Sequence, residues 1–131
     1  EFLTPPELKP SPVYSRIVRV NRGDLIYVSG LTGPDGADGK AQTEAIFGTL
    51  KEILSRAGSD FRHMVKATYY VADDPASRAL NDLRPKYYDP ARPPAASKAV
   101  VAGVGLPGRT ITLDMIAVPA RDGVGEASKS R

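Results

Sequence analysis

An α+β layer, with two helices on one face of a mixed sheet, is the fold class predicted by this 131-residue sequence. Three observations predict it. Short runs rich in β-branched and aromatic residues recur along the chain, at Tyr14 to Val20, Leu25 to Ser29, Met64 to Val71, Lys98 to Val104 and Thr110 to Val118. Two stretches with helical spacing of apolar residues lie between them. The last two runs alternate in the manner of strands. The element order is ββαβαββ, which has the helix-on-sheet pattern of a single α+β domain.

The first two runs flank Asn21-Arg22-Gly23-Asp24, and Asn and Gly tolerate positive φ, so a hairpin is expected there. Four glycines and Pro34 make residues 30–39 a loop. From Lys40 to Ala57 the residues Ile46, Leu50, Ile53, Leu54 and Ala57 share one helical face, and Gly58 supplies the stop. Met64 to Val71 is a strand. Asp73-Asp74-Pro75 is a helix start, an acidic cap followed by a proline whose missing N–H costs nothing in the first turn. Ala76, Leu80, Leu83 and Tyr87 then line one face, and Pro85 should kink or loosen the last turn. Residues 89–96 carry three prolines and read as a loop before the final two strands.

Residues 1–12, with four prolines, read as an irregular arm, residues 13–118 as one domain, and residues 119–131 as a small-residue, polar, flexible tail. No repeat or linker interrupts the domain.

Composition narrows the function classes. The sequence is 41% hydrophobic and 25% charged, the balance of an ordinary globular domain. Cysteine is absent, which removes disulfides and thiolate chemistry and fits a reducing, cytoplasmic setting. With no cysteine and His63 as the lone histidine, no metal is expected, and no cofactor. No apolar run is long enough to span a bilayer, so no membrane partner is expected. The net charge of +3 comes from basic residues scattered among acids, not gathered in a stripe, so no nucleic-acid partner is expected. Gly103-Val104-Gly105 lacks the strand-to-helix context of a dinucleotide site.

In Thr110 to Val118, Ile111, Leu113, Met115 and Ala117 point one way and Thr112, Asp114, Ile116 and Val118 the other. In Lys98 to Val104 both alternating sets are again largely apolar. Two helices cover one face of a sheet, so an apolar second face predicts self-association.

Several local patterns appear together in a fixed order. They are Ser11-Pro12-Val13-Tyr14-Ser15, Val28-Ser29-Gly30, Gln42-Thr43, Leu54-Ser55-Arg56-Ala57-Gly58, Val65-Lys66-Ala67-Thr68-Tyr69-Tyr70, Asn81 to Tyr88, Leu106-Pro107 and Ile116-Ala117-Val118. Over residues 11–118 this order resembles the RidA (YjgF) family, also labelled endoribonuclease L-PSP. The resemblance implies a chorismate-mutase-like homotrimer with a central barrel and ligand clefts between subunits. It implies hydrolysis of imines or enamines to keto acids and ammonia. In active members an arginine grips the substrate carboxylate, a last-strand glutamate positions the water, and a tyrosine of the opening segment completes the site.

This sequence departs from that pattern at both charged positions. The residue eight before Leu106 is Lys98, not arginine, and Pro90-Ala91-Arg92 is out of register by six. Lysine lacks the planar fork that fixes a carboxylate. With the Leu106-Pro107 loop taken as one residue short, Thr112 falls where the glutamate would be and Asp114 on a second acidic position; with a loop of the usual length Leu113 falls there instead. A threonine hydroxyl bonds a water without taking its proton near neutral pH. The resemblance thus places Thr112, Asp114 and Tyr14 at the reacting end, and Lys98, Ser29, Gly30 and Tyr87 around a small, carboxylate-bearing ligand. Lys98 is either that cleft cation or a surface lysine opening a strand, and Tyr14 and Tyr87 are either cleft walls or packing residues. Two functions remain, a deaminase-like hydrolase and a non-catalytic ligand-binding or chaperone-like trimer.

Overall fold

The computed structural model describes residues 1–120. The elements are β1 (Phe2–Leu3), β2 (Ile17–Val18), β3 (Ile26–Thr32), α1 (Gly39–Arg56), β4 (Met64–Val71), α2 (Asp74–Tyr87), β5 (Ala95–Val100) and β6 (Ile111–Ala117). A four-stranded mixed sheet in the order β3-β6-β4-β5 carries both helices on one face. The expected α+β class is what the chain adopts.

Both helices start where a carboxylate accepts an orphan backbone N–H. Asp38 accepts from Ala41 at 2.8 Å and Asp73 from Ala76 at 2.9 Å. The Asp73 start was legible as a motif, whereas Asp38 was hidden in the glycine-rich loop. At the other end of α1, Gly58 takes φ +80°, and the Ser59 N–H reaches back to the Leu54 carbonyl at 2.8 Å. Pro85 lies inside α2, and the helix continues past it to Tyr87.

The core lies between the helices and the sheet. Ile46, Phe47, Leu50 and Leu54 of α1 and Ala76 and Leu80 of α2 are fully buried. They meet Ile111, Leu113, Met115 and Ala117 of β6 and Met64, Ala67, Tyr69 and Val71 of β4. Each large apolar side chain so buried contributes roughly 1.5–3 kcal/mol. Phe47, Phe61, Tyr87 and Tyr88 form an aromatic cluster at one end, with Phe47 and Tyr87 stacked at 5.0 Å between ring centres.

Three local expectations are corrected. The hairpin around residues 21–24 does not form. Ser15 donates its N–H to Pro94 O at 2.8 Å and its hydroxyl to Pro93 O at 2.6 Å, and bridges Ala95. That pins the segment beside β5, and β3 lies at the opposite edge of the sheet. Ile17–Val18 pairs instead with Phe2–Leu3, so the first twelve residues, expected to be irregular, carry a short strand. Second, the strand expected over Lys98 to Val104 runs from Ala95 to Val100. Its ladder ends as Val101 donates to Val71, and the Gly103 and Gly105 that follow have poor strand propensity. Third, the sheet face away from the helices is mixed rather than apolar. Tyr27, Ile116 and Tyr70 share it with Thr112, Asp114, Thr68, Lys66 and Ser97.

Of the expected tail, Pro119 and Ala120 are described, and Ala120 donates to Gly58 O at 2.8 Å. Residues 121–131 lie outside the described residues. No helix among the described residues is long and apolar enough to cross a membrane.

Candidate functional site

The sheet sorts the expected site residues into two groups on opposite faces. On the open face, β6 is central. Asp114 is the direct partner of Thr68 on β4, and Thr112 is the partner of Tyr70 on β4 and Thr32 on β3. The β3–β6 register slips between Val28 and Leu31, which sets Ser29 and Gly30 together against Asp114. This is a β-bulge, a device that re-aims a strand locally.

The bulge brings Gly30 close to Thr112. A Cβ at position 30 would stand 3.1 Å from Thr112 Oγ1, tighter than ordinary contact. The absence of a side chain therefore leaves that hydroxyl unobstructed. Thr112 donates its proton to the Leu31 carbonyl at 2.8 Å. Its lone pairs remain to accept from a water. Asp114 projects from the same side two residues on, ~7 Å along the strand. It is half-buried and makes no ion pair or hydrogen bond within the described residues.

Lys98 stands on the other face. It is the direct partner of Tyr69 in the parallel β4–β5 ladder, and Tyr69 is buried under the helices. The Lys98 ammonium reaches Asn81 Oδ1 of α2 at 3.4 Å. Arg84, one turn further along α2, donates from Nη2 to the same oxygen at 2.9 Å. The Arg84 guanidinium lies over the Tyr69 ring, 5.3 Å from its centre, and its Nε is buried without an acceptor. Partial desolvation and the Arg84 charge both push the Lys98 pKa down. No carboxylate of the described residues bonds either cation.

The structure thus brings Ser29, Gly30, Thr112 and Asp114 together and holds Lys98 apart from them, across the sheet. Tyr14 is in neither group. It is half-buried beside the start of β5 and carries the Arg16 guanidinium 5.1 Å from its ring centre. Tyr87 is stacked on Phe47 in the aromatic cluster. Arg84 and Asn81 were not among the expected site residues. Their spacing of three puts them on one side of a helix, but only the β5 register shows that this side meets Lys98.

A groove of about 290 Å3 runs along the outside of the helix pair, lined by Lys40, Glu44, Arg78, Asp82 and Lys86 among others. Neither the expected site residues nor Asn81 and Arg84 line it. Among the described residues no cluster of histidine and carboxylates is arranged to hold a metal ion.

Residues 4–119 match the family described as Endoribonuclease L-PSP. Protein DfrA of Myxococcus xanthus is 33% identical over 113 residues, covering 80% of this chain and 84% of that protein. The 2-iminobutanoate/2-iminopropanoate deaminase of Capra hircus is 35% identical over 113 residues, covering 80% of this chain and 79% of its own. Among solved structures, YyfB of Yersinia pestis, a Rid-family protein of unknown function, superposes with a TM-score of 0.76 at 25% identity, covering 90% of this chain and 97% of the other. A YjgF/YER057c/UK114-family protein of Mycobacterium tuberculosis superposes with a TM-score of 0.63 at 28% identity, covering 80% and 86%. With the sheet, the helix pair and the ordered motifs in agreement with these matches, the chain belongs to the RidA/YjgF family.

Proposed function

We propose that this protein is a homotrimer that binds a small carboxylate-bearing metabolite between neighbouring copies and hydrolyses an imine- or enamine-type C–N bond in it. One observation carries the reading. The cationic group (Lys98 and Arg84, with Asn81) and the Thr112–Asp114 pair lie on opposite faces of the same sheet, so one protomer would not offer both to one ligand. A second copy laid against the open face would supply the missing half. Relatives named as 2-iminobutanoate/2-iminopropanoate deaminases support the choice of reaction.

Each group has a chemical part. Arg84 supplies the planar fork that Lys98 lacks, and the two cations hold the substrate carboxylate. Water attacks the imine carbon, with Thr112 Oγ1 accepting one of its hydrogens and the Asp114 carboxylate taking the released proton. Asp114 returns that proton to the nitrogen of the carbinolamine so formed, the C–N bond breaks as the carbinol hydroxyl gives up its proton and becomes the carbonyl, and a keto acid and ammonia leave. The Ser29-Gly30 bulge leaves room for the reacting carbon above Thr112.

The test is ammonia release from an imino acid generated in place from 2-aminoacrylate, with sedimentation to weigh the assembly. Turnover that disappears in Lys98→Ala supports the reading. Undetectable turnover on several imino acids removes the hydrolase, and a monomer mass removes the shared cleft.

A second reading, a non-catalytic ligand-binding or chaperone-like trimer, is favoured by the Thr112 bond to Leu31. The only proton of that hydroxyl is already given away, and no glutamate stands in its place. Ligands that raise the melting temperature without being turned over would decide for it, since binding to the native state alone stabilises by mass action.

A further inference from the structure

We infer that the Arg84–Lys98–Asn81 corner is built for a ligand end bearing two negative charges on one compact group, a phosphate monoester, rather than for a single carboxylate. The inference rests on the proposed function's placing of the ligand's anionic end at this corner, and puts a phosphate monoester there in place of the carboxylate.

The charge balance comes first. Arg84 and Lys98 are neighbours, and the acceptor they share, Asn81 Oδ1, is neutral. No acidic side chain among the described residues is bonded to either. The groups packed beneath them are the Tyr69 ring and, through it, the Tyr88 hydroxyl, both neutral phenols held in that state by burial. The charged residues of the nearby helix groove, Lys40, Glu44, Arg78, Asp82 and Lys86, line a separate surface. Two adjacent cations, one with its Nε desolvated, are thus left without a counter-charge. One carboxylate neutralises one of them. A phosphate monoester, with about −1.5 to −2 charges near neutral pH, neutralises both.

Geometry selects the compact group over two separate carboxylates. Both cations already aim at one point, the Asn81 oxygen, from two different elements, α2 and β5. A tetrahedral group placed there offers one pair of oxygens to the Nη1 and Nη2 groups of Arg84, whose Nε is buried, and a third to the Lys98 ammonium. The Asn81 amide N–H2 has no acceptor among the described residues and can turn to the same group.

The test is isothermal titration of the assembled protein with inorganic phosphate, O-phosphoserine, acetate and pyruvate at constant ionic strength, with phosphorus NMR as a second readout. The expected result is phosphate and O-phosphoserine binding at least about tenfold more tightly than acetate or pyruvate. Arg84→Gln and Lys98→Gln should each erase that preference, and Lys98→Arg should keep it. Circular dichroism of each variant shows whether the fold is retained. Equal affinity for phosphate and acetate, or a preference that survives in both glutamine variants, overturns the inference. Tight pyruvate binding that needs both cations but shows no gain with phosphate also overturns it, while leaving the carboxylate reading in place. Ammonia release from imino acids is measured separately, so failure of the reaction is not confused with failure of the dianion site.

Discussion

Lys98 and Tyr69 are direct partners in the parallel β4–β5 ladder, and Tyr69 is buried beneath α2. The next rung, Tyr70, faces the other way, and its partner on β6 is Thr112. The sheet therefore stands between the cation and the hydroxyl that were expected to share a ligand. Under the proposed function, this single alternation is the reason a second protomer would be needed to complete a cleft.

Subunit complementation follows from it. Lys98→Ala and Asp114→Asn should each be inactive as pure assemblies. If a cleft takes its cation from one copy and its acid from the next, co-refolded mixtures recover sites that carry neither change. Random equal mixing restores about a quarter of the sites in a symmetric ring. Mixtures with no more ammonia release than either parent would show that the two groups do not serve one site.

At Thr112 the missing carboxylate can be put back. Thr112→Glu should raise imine hydrolysis, because a carboxylate takes the water proton that a hydroxyl already bonded to Leu31 cannot. Thr112→Val should lower it and cost stability of about 1 kcal/mol, the worth of one hydrogen bond. Gly30→Ala should press on the Thr112 hydroxyl from 3.1 Å and lower kcat with little change in the anion's affinity. Steady-state ammonia kinetics on the three variants would read the rate changes, and urea denaturation the stability lost in Thr112→Val.

The sequence revealed the parts more fully than their meeting points. Met64 to Val71, the Asp73 cap and the Gly58 stop are local signals, and each element lies where its residues indicate. The alternation of β6 correctly separated Ile111, Leu113, Met115 and Ala117 as core from Thr112 and Asp114. The face of Lys98 was not legible, because it depends on which β4 residue it opposes, a long-range register that no local pattern encodes. For the same reason no local pattern marks Arg84 as a neighbour of Lys98, and Ser15 gave no sign of the proline carbonyls that divert its segment from a hairpin.

Gln42 should be the most costly polar residue to remove. Buried at the start of α1, it donates from Nε2 to Ala37 O at 2.6 Å and Gly108 O at 3.1 Å, and accepts from the Thr110 N–H at 2.9 Å. It thereby ties residues 33–37 to the turn before β6. Gln42→Ala strands these backbone groups and should destabilise the fold by about 3 kcal/mol. Urea denaturation would measure it, and a loss of unfolding free energy below about 1 kcal/mol would mean that water replaces the amide.

Alkaline pH should weaken the core through Tyr69 and Tyr88. Their hydroxyls share a hydrogen bond beneath the helices, and burial raises both pKa values above the ordinary phenol value of 10.0, that of Tyr88 furthest. In the unfolded chain both phenols ionise near that value. The folded protein keeps its protons to higher pH, so stability is fully present below about pH 10 and is lost as pH rises toward the folded values. Urea midpoints taken between pH 8 and pH 11 should therefore fall at the upper end. The doubly substituted Tyr69→Phe, Tyr88→Phe protein should lose much of that fall, because it has neither proton to keep. An equally steep decline in the double variant would assign the alkaline weakening to other groups.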